Sequence, residues 1–266
     1  MGQKETKING GNLFFTDVGS GAAVMLVHGF PLTHQMWDNQ IAELSTKNRV
    51  ICPDLPGFGR SETSRSVLGM DIWADHLADL LNVLEIEKVV FVGLSMGGYI
   101  GWEFARRHRD RLSGLVACNT RAINDTEQIA RGRKMVAASV VVTGAKPVAD
   151  SMIPKLVGPD ADKSVSESIR KMILATDPES IAKGHLAMAG REDARQWLSQ
   201  IDVPTLLIGG DQDQITPADE MESDSEMLPN SRFECISSAG HMTPMEQPTK
   251  FNPLIKDFLV ELSGSS

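Results

Sequence analysis

The 266-residue sequence predicts an α/β fold: a mostly parallel sheet flanked by helices, with a helical cap inserted between its two halves. Three observations predict it. Continuous apolar runs, the mark of parallel strands covered on both faces, alternate with segments of helical period. The stretch between Thr120 and Gln200 breaks that rhythm. A Gly-x-Ser-x-Gly turn stands between one such run and a helix.

The elements follow in order. Residues 5–9 and 11–17 read as an antiparallel pair around the turn Asn9-Gly10-Gly11. The buried runs are then 22–27, 49–53, 88–94, 112–118, 204–209 and 232–237. Residues 70–85 set Trp73, Leu77, Leu80, Leu81 and Leu84 on one helical stripe and Asp75, His76 and Asp79 opposite it. Residues 96–109 read as a helix whose basic end, Arg106-Arg107-His108-Arg109, suits the helix dipole as a solvated terminus. Residues 248–262 form a closing helix with Pro248 near its start. Alternation of strand and helix specifies right-handed crossovers and a parallel sheet. The intervening stretch carries Gly144, Pro147, Pro154, Gly158, Pro159 and Pro178 and reads as several short helices, although Ala137 to Val142 is apolar enough for either a strand or a helix. The chain therefore divides into a core part over 1–120, a cap over 121–198 and a second core part over 199–266.

Composition narrows the function. A formal net charge of −9 argues against a nucleic-acid partner, whose phosphates require a basic surface. No apolar run reaches the length of a membrane span. The polar N-terminal residues and three dispersed cysteines, Cys52, Cys118 and Cys235, read as a cytoplasmic protein with buried free thiols, without a metal site and without a cofactor. The expected partner is a small-molecule ester or lactone, and the expected state is a monomer or homodimer.

The chemistry centres on Gly93-Leu94-Ser95-Met96-Gly97. A serine hydroxyl needs a base. Among six histidines, His241 alone lies in a loop just after the last expected strand. His28 belongs to a His-Gly turn, His34 opens a helix, His76 and His108 lie on a helix face and a helix end, and His185 falls within the cap. The base in turn needs an acid. The segment after run 204–209 offers Asp211 and Asp213, which composition alone does not separate. Val27-His28-Gly29-Phe30-Pro31 ends the first long buried strand. Its Phe30 amide can meet that of Met96 at one point as an oxyanion hole, whereas Pro31 has no N–H. Phe30, Met96, Met135, Val136 and Met242 are the expected lining of an apolar pocket. Arg121, Arg131, Arg133 and Lys134 read either as a solvated face or as a grip on an acidic substrate.

The segments HGFPLTHQMW, DLPGFGRS, GLSMGG, GGDQDQITP and GHMTPMEQP occur in the order and spacing of one family, and the chain resembles the α/β-hydrolase superfamily over nearly its whole length. The resemblance implies an eight-stranded sheet. It also implies Ser95 as nucleophile, His241 as base, Asp213 as the acid four residues before Pro217, the Phe30 and Met96 amides as oxyanion hole, and residues 121–198 as a lid. Serine at this position disfavours relatives that use aspartate there, and a serine attacks carbonyls. The leading expectation is a carboxylesterase or lactonase. Enol-lactone hydrolases, cofactor-free haloperoxidases or perhydrolases, and carbon–carbon bond hydrolases share the scaffold, as do receptor-like members with little turnover.

Overall fold

The computed structural model describes residues 2–62 and 69–264. Eight strands form one sheet: β1 (Gln3–Ile8), β2 (Gly11–Val18), β3 (Ala23–Val27), β4 (Arg49–Pro53), β5 (Val89–Leu94), β6 (Leu112–Cys118), β7 (Thr205–Gly210) and β8 (Ser231–Ile236). Their spatial order is β1-β2-β4-β3-β5-β6-β7-β8. The β1–β2 and β2–β4 pairings are antiparallel and the other five are parallel. The first hairpin turns through Asn9 and Gly10, both at positive φ (49° and 86°), as a two-residue hairpin loop demands. The central strands β5 and β7 are buried along their whole length, which is why their sequences run apolar without alternation.

The helices are α1 (Asp38–Leu44), α2 (Met70–Val83), α3 (Met96–Arg107), α4 (Glu127–Thr143), α5 (Lys146–Leu156), α6 (Lys163–Ala175), α7 (Pro178–Ala189), α8 (Ala218–Glu226), α9 (Thr243–Glu246) and α10 (Pro248–Gly264). No described helix is long and apolar enough to cross a membrane. Helices α4 to α7 lie between β6 and β7 and build the cap. The ambiguous run Ala137 to Val142 is helical, within α4, and only Ala137 and Val140 of it are buried. The cap is fastened through Asp125, which pairs with Arg133 at 2.5 Å and with Arg191 at 2.7 Å, while the Arg191 guanidinium lies 4.3 Å from the centre of the Tyr99 ring of α3.

Three expectations are corrected. His76 is buried rather than on a polar face, because α2 is enclosed by more of the molecule than its leucine stripe implies. Cys235 is exposed, since β8 is an edge strand with a half-covered burial pattern, whereas Cys52 and Cys118 are buried. The basic end of α3 is not merely solvated: Arg106 pairs with Glu103 and Glu192, Arg107 and His108 share Asp75 of α2, and Arg109 pairs with Asp202.

The tightest packing is where β5 turns into α3. A Cβ on Gly93 would lie 2.3 Å from the Gly97 carbonyl oxygen, and one on Gly97 would lie 2.3 Å from the carbonyl oxygen of Val27 in β3. Both obstacles are backbone, so no side chain can yield. We predict that Gly97→Ala costs about 3 kcal/mol and lowers Tm by roughly 6–12 °C. Calorimetry checks this, and a shift below about 2 °C would show that the strand and helix separate freely there.

Candidate active site

Ser95 links β5 directly to α3 at φ 54° and ψ −112°. A non-glycine residue there carries of order 1–3 kcal/mol of strain, which the surroundings must hold. They do so from both sides. The Ser95 N–H donates to the Cys118 carbonyl at 2.9 Å, and the Ser95 carbonyl accepts from the Thr120 hydroxyl at 2.8 Å and from the amides of Gly98 and Tyr99. Met96 supplies the first amide of α3, one of the N–H groups that a helix start leaves without an intrahelical acceptor. Gly29 adjoins the same turn, since a Cβ on it would lie 3.4 Å from the Ser95 Cβ.

The loop after β3 is fixed by buried polar contacts. The Leu32 amide donates to the Gly29 carbonyl at 3.0 Å, and the Gly29 amide to the Met36 sulfur at 3.4 Å. His28 accepts the Leu55 amide at Nε2 (3.0 Å), so its Nδ1 carries the proton and donates to the Gly29 carbonyl at 2.9 Å. Burial lowers the His28 pKa, consistent with a neutral structural ring. Asp54 of the DLPGFGRS segment accepts the His34 amide (2.7 Å), the His34 Nδ1–H (2.8 Å) and the Arg60 amide (2.9 Å). That segment clasps one loop to another.

His241 follows β8 and Asp213 follows β7, both buried. The His241 Nδ1 lies 2.8 Å from Asp213 Oδ2. Asp213 Oδ1 accepts the amides of Ile215 (2.8 Å) and Thr216 (3.0 Å), and Oδ2 also accepts the Thr216 hydroxyl (2.6 Å) and the Asn119 amide nitrogen (2.9 Å). Burial pushes the Asp213 carboxyl up, but His241 and these donors outweigh it and hold the group well below the usual carboxylate range. Among the described residues, the Asp211 carboxylate accepts the Ala239 amide, at 3.3 Å, and has no hydrogen bond to His241. The flanks of His241 are held by Glu246, which accepts the amides of Gly240 (3.0 Å), Met242 (3.0 Å) and, from the cap, Gly158 (2.8 Å). The Met242 amide also reaches the Leu156 carbonyl of α5 at 3.1 Å. Sequence reasoning missed Asn119, Thr216 and Glu246. Asn119 pairs across 94 and 121 residues, while Thr216 and Glu246 bond within their own turns through residue types that surface loops use commonly, so none of them stands out in the sequence.

Ser95, Asp213 and His241 thus lie at the carboxyl ends of β5, β7 and β8, on one edge of the sheet. The expected apolar lining is placed unevenly. Phe30, Met96 and Met242 are buried, and Val136 is half-buried against the core. Met135 is 68% exposed, because α4 turns that face outward. Arg131 pairs with Glu127 one turn away, Arg133 with Asp125 and Arg121 with Glu220, while Lys134 is exposed, so three of these four cations already have carboxylate partners. A cleft of about 700 Å³ lies between α6 and the core, lined by Thr33, His34, Met36, Arg60, Lys171 and Met172 among others, and Ser95, Asp213 and His241 are not among its walls. Among the described residues no three His, Cys, Asp or Glu side chains are grouped to hold a metal ion.

Residues 22–151 and 172–248 match the alpha/beta hydrolase fold family. The chain belongs to this family. Among solved structures, this α/β-hydrolase is similar to a thermophilic esterase from Thermogutta terrifontis with malate bound, at 42% identity and a TM-score of 0.94 over 98% of both chains. It is similar to the enol-lactonase from Burkholderia xenovorans LB400 at 26% identity and a TM-score of 0.90, over 97% of this chain and 100% of that one. It is also 29% identical to the AB hydrolase superfamily protein YisY of Bacillus subtilis, over 92% of this chain and 94% of that protein.

His185 of α7 packs its ring edge-on to that of Phe30, 4.7 Å between centres, and neither ring nitrogen has a hydrogen-bond partner among the described residues. Burial, with Arg133 nearby, pushes its pKa down to about 4. The folded protein keeps this ring neutral while the unfolded chain protonates it near 6.5, so its contribution is fully present above about pH 6.5 and is lost as pH falls towards 4. We expect the stability of His185→Phe relative to the native protein to rise by about 1.4 kcal/mol for each unit by which pH is lowered across that window. Urea unfolding at pH 7.5, 6 and 5 measures it, and a constant difference would reject a buried neutral ring.

Proposed function

We propose that this α/β-hydrolase is a serine hydrolase that cleaves a carboxylic ester or lactone through an acyl-enzyme on Ser95. The observation that carries the reading is the buried His241–Asp213 pair, 2.8 Å apart, on the same sheet edge as a strained serine. The nucleophile and the base are also linked through β6. Ser95 N–H bonds to Cys118, and the next residue, Asn119, donates to Asp213 and, at 3.2 Å, to the carbonyl of Gly240, the neighbour of His241. The 42% identical esterase and the enol-lactonase relative support the substrate class.

Asp213 engages Nδ1 of the imidazole, which leaves Nε2 to take the proton of the Ser95 hydroxyl as Oγ attacks the acyl carbon. The resulting imidazolium is offset by the Asp213 carboxylate. The carbonyl oxygen gains charge as the tetrahedral intermediate forms, and the amides of Phe30 and Met96 stabilise it. Collapse expels the alkoxide, which takes the proton from His241. In a lactone the alkoxide stays tethered to the acyl group. Water then gives a proton to Nε2 and attacks the acyl-enzyme, and Ser95 leaves with that proton as the acid is released. Every proton is returned, so no cofactor is required. A helical cap over 121–198 closes over the site, with its Leu156–Gly158 corner already bonded to the His241 loop.

On chromogenic short-chain esters, Ser95→Ala should lower kcat/KM by at least roughly three orders of magnitude. Retention of native turnover would remove Ser95 as nucleophile. The two aspartates separate just as sharply. Asp213→Asn should lose about 10³-fold or more, and Asp211→Asn less than about threefold, because only Asp213 reaches the imidazole. Equal losses would leave the acid elsewhere.

A further inference from the structure

Asn119 is the first residue beyond β6, fully buried and at φ 43°, a conformation asparagine tolerates better than most side chains. Its backbone N–H and both polar atoms of its side chain are hydrogen-bonded. Its backbone N–H donates to Ile208 of β7 at 2.8 Å. Its side-chain nitrogen donates to Asp213 Oδ2 at 2.9 Å and to the Gly240 carbonyl at 3.2 Å, and its side-chain oxygen accepts the Thr243 hydroxyl at 2.5 Å. The residues on either side, Cys118 and Thr120, hold the N–H and the carbonyl of Ser95. We infer that Asn119 is a positioning residue for the acid–base pair: it fixes Asp213 and both flanks of His241 relative to Ser95.

The physical argument is geometric. Asp213 Oδ2 is the oxygen that meets His241, and Asn119 donates to that same atom. Gly240 and Thr243 stand one residue before and two residues after His241, so one amide restrains the acid and the segment on each side of the base. The backbone of Asn119 is tied to the end of β6, whose neighbours grip Ser95. The separation between nucleophile and base is therefore set through three consecutive residues, 118–120. A side chain that served only its own burial would not need to span these three partners. This inference rests on the triad proposed above.

The test measures kcat and KM on a chromogenic ester for Asn119→Gly, a residue that accepts the positive φ, and for Thr243→Val, which keeps the volume but releases the amide oxygen. Each is also made in an Asp213→Asn background. Prolonged titration with a fluorophosphonate counts competent sites, so that kcat refers to folded enzyme and a poorly folding variant still gives a reading. We expect Asn119→Gly to lower kcat per site by roughly tenfold or more with KM within about twofold, Thr243→Val to lower it by about threefold, and both effects to vanish in the Asp213→Asn background. Native kcat per site in both variants, whatever their Tm, would overturn the inference. So would an equal loss in the presence and absence of Asp213. Full turnover by Ser95→Ala or Asp213→Asn alone would instead overturn the triad, a failure readable separately from the other two.

Discussion

The site is organised around one buried negative charge. A carboxylate removed from water is costly unless donors replace its hydration, and Asp213 recovers them from three loops. Its own turn supplies the Ile215 and Thr216 amides and the Thr216 hydroxyl, the end of β6 supplies Asn119, and the loop after β8 supplies His241. Satisfying that charge draws the carboxyl ends of β6, β7 and β8 together. The chain cannot form the Asp213 environment without also bringing His241 to the edge where β5 presents Ser95.

The serine depends on a different force. Its backbone strain is held by close-packed main chain rather than by charge: β3, β5 and α3 approach so closely at Gly93 and Gly97 that no side chain fits. The Cys118 carbonyl, which accepts the Ser95 N–H, and the Thr120 hydroxyl, which donates to the Ser95 carbonyl, then lock the peptide units on each side of it. Ser95 and the His241–Asp213 pair are thus held by separate means that meet at the end of β6. The cap adds a third attachment. Glu246 gathers amides from both the His241 loop and Gly158, and the Met242 amide also reaches the Leu156 carbonyl, so the α5–α6 corner is bonded to the His241 loop at two points.

Much of this was legible in the sequence, and for identifiable reasons. Continuous apolar runs revealed the parallel strands because burial on both faces suppresses alternation. The Gly-x-Ser-x-Gly turn was legible because steric exclusion of Cβ forces glycine at fixed offsets. Asn119 left no such trace: its bonds to Asp213 and Gly240 span 94 and 121 residues, and an asparagine ending a strand has an ordinary local reading as a turn former. Met135 was misplaced because a helix in a cap has no guaranteed buried face, and its apolar residues at 135 and 142 turn to solvent. His76 was misread in the opposite sense, since the leucine stripe of α2 accounts for only part of what covers that helix.

The chain contains a second buried histidine–carboxylate pair, and the contrast shows what is particular to the surroundings of His241–Asp213. His34 Nδ1 meets Asp54 Oδ1 at 2.8 Å, the same separation as in His241–Asp213. Distance and burial therefore do not distinguish them. Their surroundings do. Asp54 spends its remaining contacts on the main-chain amides of His34 and Arg60, and Gly59 carries no Cβ because one would lie 2.2 Å from the Asp54 oxygen. Those contacts close a loop and leave the imidazole fastened to its own backbone. Asp213 draws donors from its own turn, from the end of β6 and from the loop after β8, and the β6 donor is anchored beside a serine whose strained backbone is held by tight packing and by hydrogen bonds on both sides. What sets the two pairs apart is that convergence, not the pairing itself.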